Sequence, residues 1–187
     1  MRRGRKDQEP REFDQKILDL SRVTRVTAGG KRMRFRTALV IGDRKGRVGF
    51  GVAKGADVAI SVEKAFRQAK KNLLTIPLAN KTVPHAVYTK YGAAVIILKP
   101  APQGTGLKAG GAVRVLLELG GVPNAVSKSL GSNNKINIAR ATMNALRSLR
   151  LPEGVETDSA VAAKKAKPEK KEAKPAAEKK PAPKREG

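Results

Sequence analysis

Gly30-Lys31-Arg32-Met33-Arg34-Phe35-Arg36-Thr37-Ala38-Leu39-Val40-Ile41 begins with arginine alternating strictly with a large apolar residue. A two-residue period is that of a β-strand, whose side chains point alternately to opposite faces. Arg32, Arg34 and Arg36 therefore share one face, about 6.6 Å apart along the strand. Met33, Phe35, Thr37, Leu39 and Ile41 share the other, which is expected to pack on a core. From Ala38 to Val40 both faces become apolar, so Arg36 stands at the edge of the cationic run. That run needs a partner of opposite charge.

The composition narrows the partner. The 187 residues carry 40 Lys+Arg against 16 Asp+Glu, a formal net charge of +24. Such a chain repels itself when compact unless a polyanion neutralises it, and nucleic acid is the default polyanion at so high a pI. Aromatic residues make up only 3%, which favours binding through backbone charge and shape over stacking on aromatic platforms. With no cysteine and the single histidine His85, disulfides and thiolate or multi-histidine metal sites are excluded. The longest apolar run, Ala93 to Leu98, is far short of a membrane span, and no apolar segment follows the basic start. The expectation is a cytoplasmic protein with no cofactor and no membrane or small-molecule partner.

From Asp158 the chain is almost entirely Lys, Ala, Pro and Glu, a composition that cannot bury enough surface to offset ordering entropy. Residues 158–187 read as a disordered Lys/Ala/Pro-rich tail, serving either as a solvating extension or as an RNA or protein contact. Residues 1–11 read as disordered in the same way. Removing both ends leaves 25 basic and 9 acidic residues in 12–157, so most of the charge belongs to the folded body.

Within that body the pattern divides near residue 80, giving expected domains 12–80 and 81–157. The first reads as three strands and a helix: Ile17 to Thr27, a turn at Ala28-Gly29-Gly30, the arginine strand, a turn at Gly42 to Gly46, and Arg47 to Val52, whose glycines signal close backbone approach or a bulge. A helix over Val58 to Leu74 follows, capped by Asp57, with Ala59, Val62, Phe66, Ala69 and Leu73 as its apolar stripe. The second reads as strands Val83–Thr89 and Ala93–Lys99, the glycine-rich loop Pro100 to Gly111, a helix Ala112–Leu119, a strand within Val122–Leu130, and a helix ending near Arg150. In that last helix Ala139, Met143 and Leu146 supply the buried side. This is an α/β sandwich by pattern.

Four basic surfaces carry the candidate RNA contacts. The hairpin offers Arg22, Arg25, Lys31, Arg32, Arg34 and Arg36. The second turn offers Arg44, Lys45 and Arg47, with Lys54 nearby. Lys64, Arg67 and Lys71 form a helix face of three cations without an acid. The second half adds Lys108, Arg114, Lys128, Lys135, Arg140 and Arg147, of which Arg140 and Arg147 share a face with Asn144. Arginine suits phosphate because its planar fork donates two parallel hydrogen bonds, and many such contacts bind strongly and salt-dependently.

Catalysis finds little support. The loop at Gly104-Thr105-Gly106 leads into a helix N-terminus, where anions are attracted, but it lacks the Lys-Ser or Lys-Thr of a phosphate-binding loop. Phosphoryl transfer needs carboxylates to hold magnesium, and residues 81–150 contain one acid, Glu118, against ten bases. The loop meets either RNA phosphate or a protein neighbour. Apart from an RNA-binding structural protein, the competing readings are a free double-stranded-RNA-binding regulator and a phosphoryl-transfer protein using that loop.

The residues Arg22-Val23, Gly29-Gly30-Lys31-Arg32, Val40-Ile41-Gly42-Asp43 and Gly46-Arg47-Val48-Gly49-Phe50-Gly51 resemble the N-terminal half of the bacterial small-subunit ribosomal protein S5 family. The second half continues the likeness with Leu98-Lys99-Pro100-Ala101, Gly104-Thr105-Gly106, Ala109-Gly110-Gly111-Ala112-Val113-Arg114, Gly131-Ser132-Asn133-Asn134, Ile136-Asn137 and Arg140-Ala141-Thr142. The resemblance implies an α+β chain: a double-stranded-RNA-binding-like N-terminal domain followed by a two-layer α/β sandwich domain. It further implies a non-enzymatic constituent of the small ribosomal subunit that binds ribosomal RNA, supports assembly and body–head organisation, and contributes to translational accuracy where messenger enters. Ribosomal proteins S4 and S8 are the implied neighbours. The hairpin from Arg22 to Arg32 corresponds to the loop associated with spectinomycin resistance. Gly104, Thr105, Gly106, Lys108 and Arg114 fall in the accuracy-related interface with S4. Two positions depart from the family pattern: Ala53-Lys54-Gly55 stands where Gly-Lys-Ala is usual, and Lys135 stands where proline usually opens the last helix.

Overall fold

The computed structural model describes residues 12–150; the expected disordered segments 1–11 and 158–187 lie outside them. Strands β1 (Asp14–Thr27), β2 (Gly30–Gly42), β3 (Arg47–Gly55) and β4 (Leu73–Thr75) form an antiparallel sheet in chain order, with helix α1 (Val58–Lys71) between β3 and β4. A second sheet, ordered β5-β6-β8-β7, contains β5 (Val87–Tyr91), β6 (Ala94–Pro100), β7 (Leu107–Lys108) and β8 (Ala125–Gly131). Helices α2 (Gly111–Leu119) and α3 (Lys135–Ser148) flank β8 in the chain. The chain is α+β, as the resemblance implies.

The opening stretch is β2, and its alternation decides what lies on each side of the first sheet. Thr37, Leu39 and Ile41 are buried under α1, joined by Ala65 and Ala69. Ala38 and Val40 on the opposite face are equally buried, in a larger core with Val113, Leu116 and Ile138 from the second half. The sheet is thus covered on both faces where β2 turns wholly apolar. Towards the hairpin tip that cover ends: residues 24–34 are all exposed. Met33, expected to face a core, stands 46% exposed, because the hairpin reaches past the helix that would cover it.

Helix α1 differs from its expected stripe. Its fully buried residues are Ser61, Ala65 and Ala69, whereas Ala59 is exposed and Val62 and Phe66 are half-buried. The cause is the strand beneath. A Cβ on Gly49 would lie 2.5 Å from the Ala69 carbonyl oxygen, one on Gly51 2.2 Å from that of Ala65, and one on Gly55 2.6 Å from the Ser61 nitrogen. Glycines on the sheet and small residues on the helix bring the two backbones together, and the larger apolar side chains flank this seam. A buried hydrogen bond of 2.7 Å between the Thr37 and Ser61 hydroxyls closes one end of it. The helix also ends earlier than expected, at Lys71, and Leu73–Thr75 becomes the edge strand β4 beside β3. In the second half β5 begins at Val87 rather than Val83.

Main-chain hydrogen bonds join the two halves. The turn after β2 donates from Arg44 N to Leu119 O (2.9 Å) and from Gly46 N to Gly120 O (3.1 Å) at the end of α2. Contact there is so close that a Cβ on Gly42 would lie 2.2 Å from the Leu119 oxygen.

Candidate nucleic-acid interface

Strand register sorts the hairpin cations into two sets. Arg25 pairs with Arg32, Val23 with Arg34, Ser21 with Arg36, and Arg36 with Lys54 of β3. Directly opposed residues share a face, so Arg25, Arg32, Arg34, Arg36 and Lys54 lie together. Arg22 pairs with Phe35 and Lys31 with Val26, which places both on the other face. A groove of about 210 Å³ runs along the first set, lined by Val23, Arg25, Arg32, Arg34 and Lys54. Among the described residues no carboxylate pairs with Arg22, Arg25, Lys31, Arg32, Arg34 or Lys54. Arg36 differs. It is 3.9 Å from Asp19, its Nε is buried without a partner, and the hydroxyl of its neighbour Ser21 is in the same condition.

Several other expected contacts have partners within the protein, some of them far away in sequence. Arg44 meets Asp14 at 2.9 Å. Arg47 donates to Asp43 at 2.6 Å, lies 3.8 Å from Glu12, and stacks its guanidinium 5.2 Å from the Phe13 ring centroid. The Asp43 carboxylate, only 6% exposed, also accepts from the Lys45 and Arg47 amides. Burial works to raise its pKa, yet the hydrogen bonds from the Arg47 side chain and the two amides prevail and hold it below the ordinary 3.8. Asp43 in turn raises Arg47 further above its usual value. In the second turn Arg44 and Arg47 are therefore engaged by acids of the same chain while staying largely exposed, and Lys45 faces solvent.

The cationic face of α1 is not free of acids as expected, because Arg67 lies 3.6 Å from Glu63 one turn earlier; Lys64 and Lys71 remain exposed. Lys135 opens α3, whose cap is the Asn134 side chain accepting from Ile136 N at 3.1 Å. The Lys135 Nζ reaches Asp19 at 3.2 Å, which ties the last helix to the first strand. Arg140 donates to the Tyr91 hydroxyl at 2.7 Å, and Arg147 is exposed on the same helix face. Lys128 lies on the outer face of the second sheet in register with Ile97 and Tyr88. That face also carries Lys90, Lys99 and the exposed Tyr88, Val126 and Leu130.

The glycine-rich loop owes its shape to a residue that sequence reasoning missed. Asn124, 6% exposed, accepts at Oδ1 from Gly104 N (3.2 Å) and Gly106 N (3.1 Å), and donates to Lys81 O (3.3 Å). Thr82 completes the arrangement by donating to Asn124 O and accepting from Ala101 N. Gly104 and Gly106 take φ of +91° and +71°, the left-handed region that glycine enters without penalty. Their amides face inward, so they cannot cradle a phosphate. The loop instead shows Thr105, Lys108 and, on α2, Arg114 on a rigid frame.

Among the described residues no three His, Cys, Asp or Glu side chains converge as metal ligands, and no helix is long and apolar enough to cross a membrane. Residues 13–77 match the family model for the ribosomal protein S5 N-terminal domain, and residues 89–161 match that for the ribosomal protein S5 C-terminal domain.

Proposed function

Because the chain belongs to the ribosomal protein S5 family, whose members are structural, non-enzymatic components of the small ribosomal subunit, we propose that its hairpin arm is the principal contact with ribosomal RNA. The observation that carries this reading is the aligned set Arg25, Arg32 and Arg34, on one face of an arm exposed along its length, with Lys54 of β3 on the same face at its base. Three arginines and a lysine along a groove suit a phosphate backbone, which each guanidinium can engage with two hydrogen bonds. Arg22 and Lys31 extend the contact to the arm's second face, and Lys45, Lys64, Lys71 and Lys128 add weaker, position-tolerant attraction.

The neighbours are ribosomal proteins S4 and S8. The loop displaying Thr105, Lys108 and Arg114, held from inside by Asn124, suits a fixed protein contact and is assigned to S4. The outer face of the second sheet mixes lysines with exposed Tyr88, Val126 and Leu130. That combination suits a partly apolar protein surface, and it is assigned to S8. Through these contacts the chain supports subunit assembly and body–head organisation and contributes to accuracy where messenger enters.

Charge reversal tests the arm. Chains carrying Arg32→Glu and Arg34→Glu are expected to fold normally, since both side chains are exposed, yet to be largely absent from small subunits after sedimentation. Undiminished incorporation would overturn the assignment.

A further inference from the structure

Away from the arm, a cleft of about 270 Å³ opens between the two halves. Phe50 and Val52 of β3 and Met143 of α3 contribute its apolar lining. Amides line it from two sides: Gln68 and Asn72 from the end of α1, and Asn144 from α3. The Gln68 carbonyl already accepts from Val52 N at 3.1 Å, leaving its amide nitrogen to donate. Arg140 and Arg147 stand one turn either side of Asn144. Arg140 is pre-positioned, its guanidinium 5.5 Å from the Tyr91 ring centroid and bonded to the phenol oxygen. No carboxylate lines the cleft or pairs with either arginine among the described residues.

We propose that this cleft holds one unpaired nucleotide of the bound RNA, its base on the Phe50–Val52–Met143 lining and its phosphate against Arg147 and Arg140. Three observations choose that occupant. An apolar floor flanked by amides, with Phe50 and Met143 each showing only an edge (7% exposed), offers contact for a base and both donors and acceptors for its edge, the mode by which unpaired bases are read. Two arginines without acids call for a phosphate. A free nucleoside triphosphate would bring magnesium, and the cleft has no oxygen anion to share in holding it. A protein carboxylate could satisfy the arginines but has no use for the apolar lining. The inference rests on the reading of the chain as an rRNA-binding protein, and it adds base recognition to what is otherwise a backbone contact.

The test uses small subunits assembled with the full chain carrying Asn144→Ala and Arg147→Ala. Both side chains are exposed, so the unfolding midpoint of the free chain is expected to stay unchanged. Base-specific chemical probing of the subunit RNA should show one unpaired nucleotide, protected by the native chain, becoming about tenfold more reactive, the scale of one lost base-edge contact. Ultraviolet irradiation of native subunits should link that nucleotide to Tyr91 or Met143. An unchanged reactivity pattern in normally assembled subunits would overturn the inference alone and leave the arm's role standing. So would finding Tyr91 or Met143 linked to a polypeptide. Failure of the native chain to enter subunits would overturn the function reading itself.

Discussion

Arg25 of β1 stands directly across the ladder from Arg32 of β2, with no acid between them among the described residues. Like charges in opposed positions destabilise a strand pair by about 0.2–1 kcal/mol, so the pairing works against the free protein. Replacing Arg32 by Thr is expected to raise the stability of the isolated chain by roughly that amount in urea unfolding. The same change should weaken binding to ribosomal RNA and lower the slope of log affinity against log salt by about 1. Equal loss of both stability and affinity would show that Arg32 serves the fold instead.

Gly51 is expected to tolerate no side chain. Alanine there would set its Cβ 2.2 Å from the Ala65 carbonyl oxygen, and neither the strand nor the helix backbone can give way cheaply. Overpacking of this kind costs about 1–3 kcal/mol or more. Gly29, at the arm tip, is the matched control: a Cβ added there would meet nothing within 4 Å. It should accept alanine with little change in melting temperature.

Asn124→Ala removes the acceptor for two loop amides and leaves them facing the interior. Unsatisfied donors cost up to about 1–3 kcal/mol when fully buried, and less is expected at these two part-buried amides. Hydrogen exchange should accelerate at Gly104 and Gly106, while amides of β6 that pair with β8 keep their protection relative to global unfolding. Unchanged exchange at the two glycines would remove Asn124 from the role given to it.

Acid should loosen the second turn. The folded-state pKa of Asp43 lies below its ordinary 3.8, so its contribution is fully present above that value and is lost as pH falls through the folded one. Stability of the native chain should therefore decline on acidification below about pH 4. In Asp43→Asn that limb should be shallower, with the variant less stable at neutral pH. Parallel pH profiles for the two chains would contradict the linkage.

The period of two from Arg32 to Ile41 is enough to place a strand and to sort its faces, because alternation is a local property that tertiary contacts only use. Where the strand leaves the body is not local, and Met33 is exposed for that reason. The helix stripe fails for a related cause. Val62 and Phe66 look like the natural core residues, but Gly49, Gly51 and Gly55 bring the sheet so near that only Ser61, Ala65 and Ala69 fit the seam. Charges are legible in total and poorly so in detail. Asp14 and Asp19 precede Arg44 and Lys135 by long stretches of chain, so nothing in the local pattern announces that they meet. Asn124 carries no signal at all: a single amide after a proline looks like any loop residue until the glycine amides are seen turned towards it.

The joint between the Gly42–Gly46 turn and the end of α2 has a mechanical consequence. The arm's two strands continue into the part of the sheet held between α1 and α2, β1 with a register shift between Ile17 and Asp19, and the turn at its far end is hydrogen-bonded to Leu119 and Gly120. The arm is therefore one end of a lever whose fulcrum is the second half's helix. A pull on its tip is carried along β2 to the end of α2. Whatever fixes the tip thereby also bears on the placement of α2 in the second half.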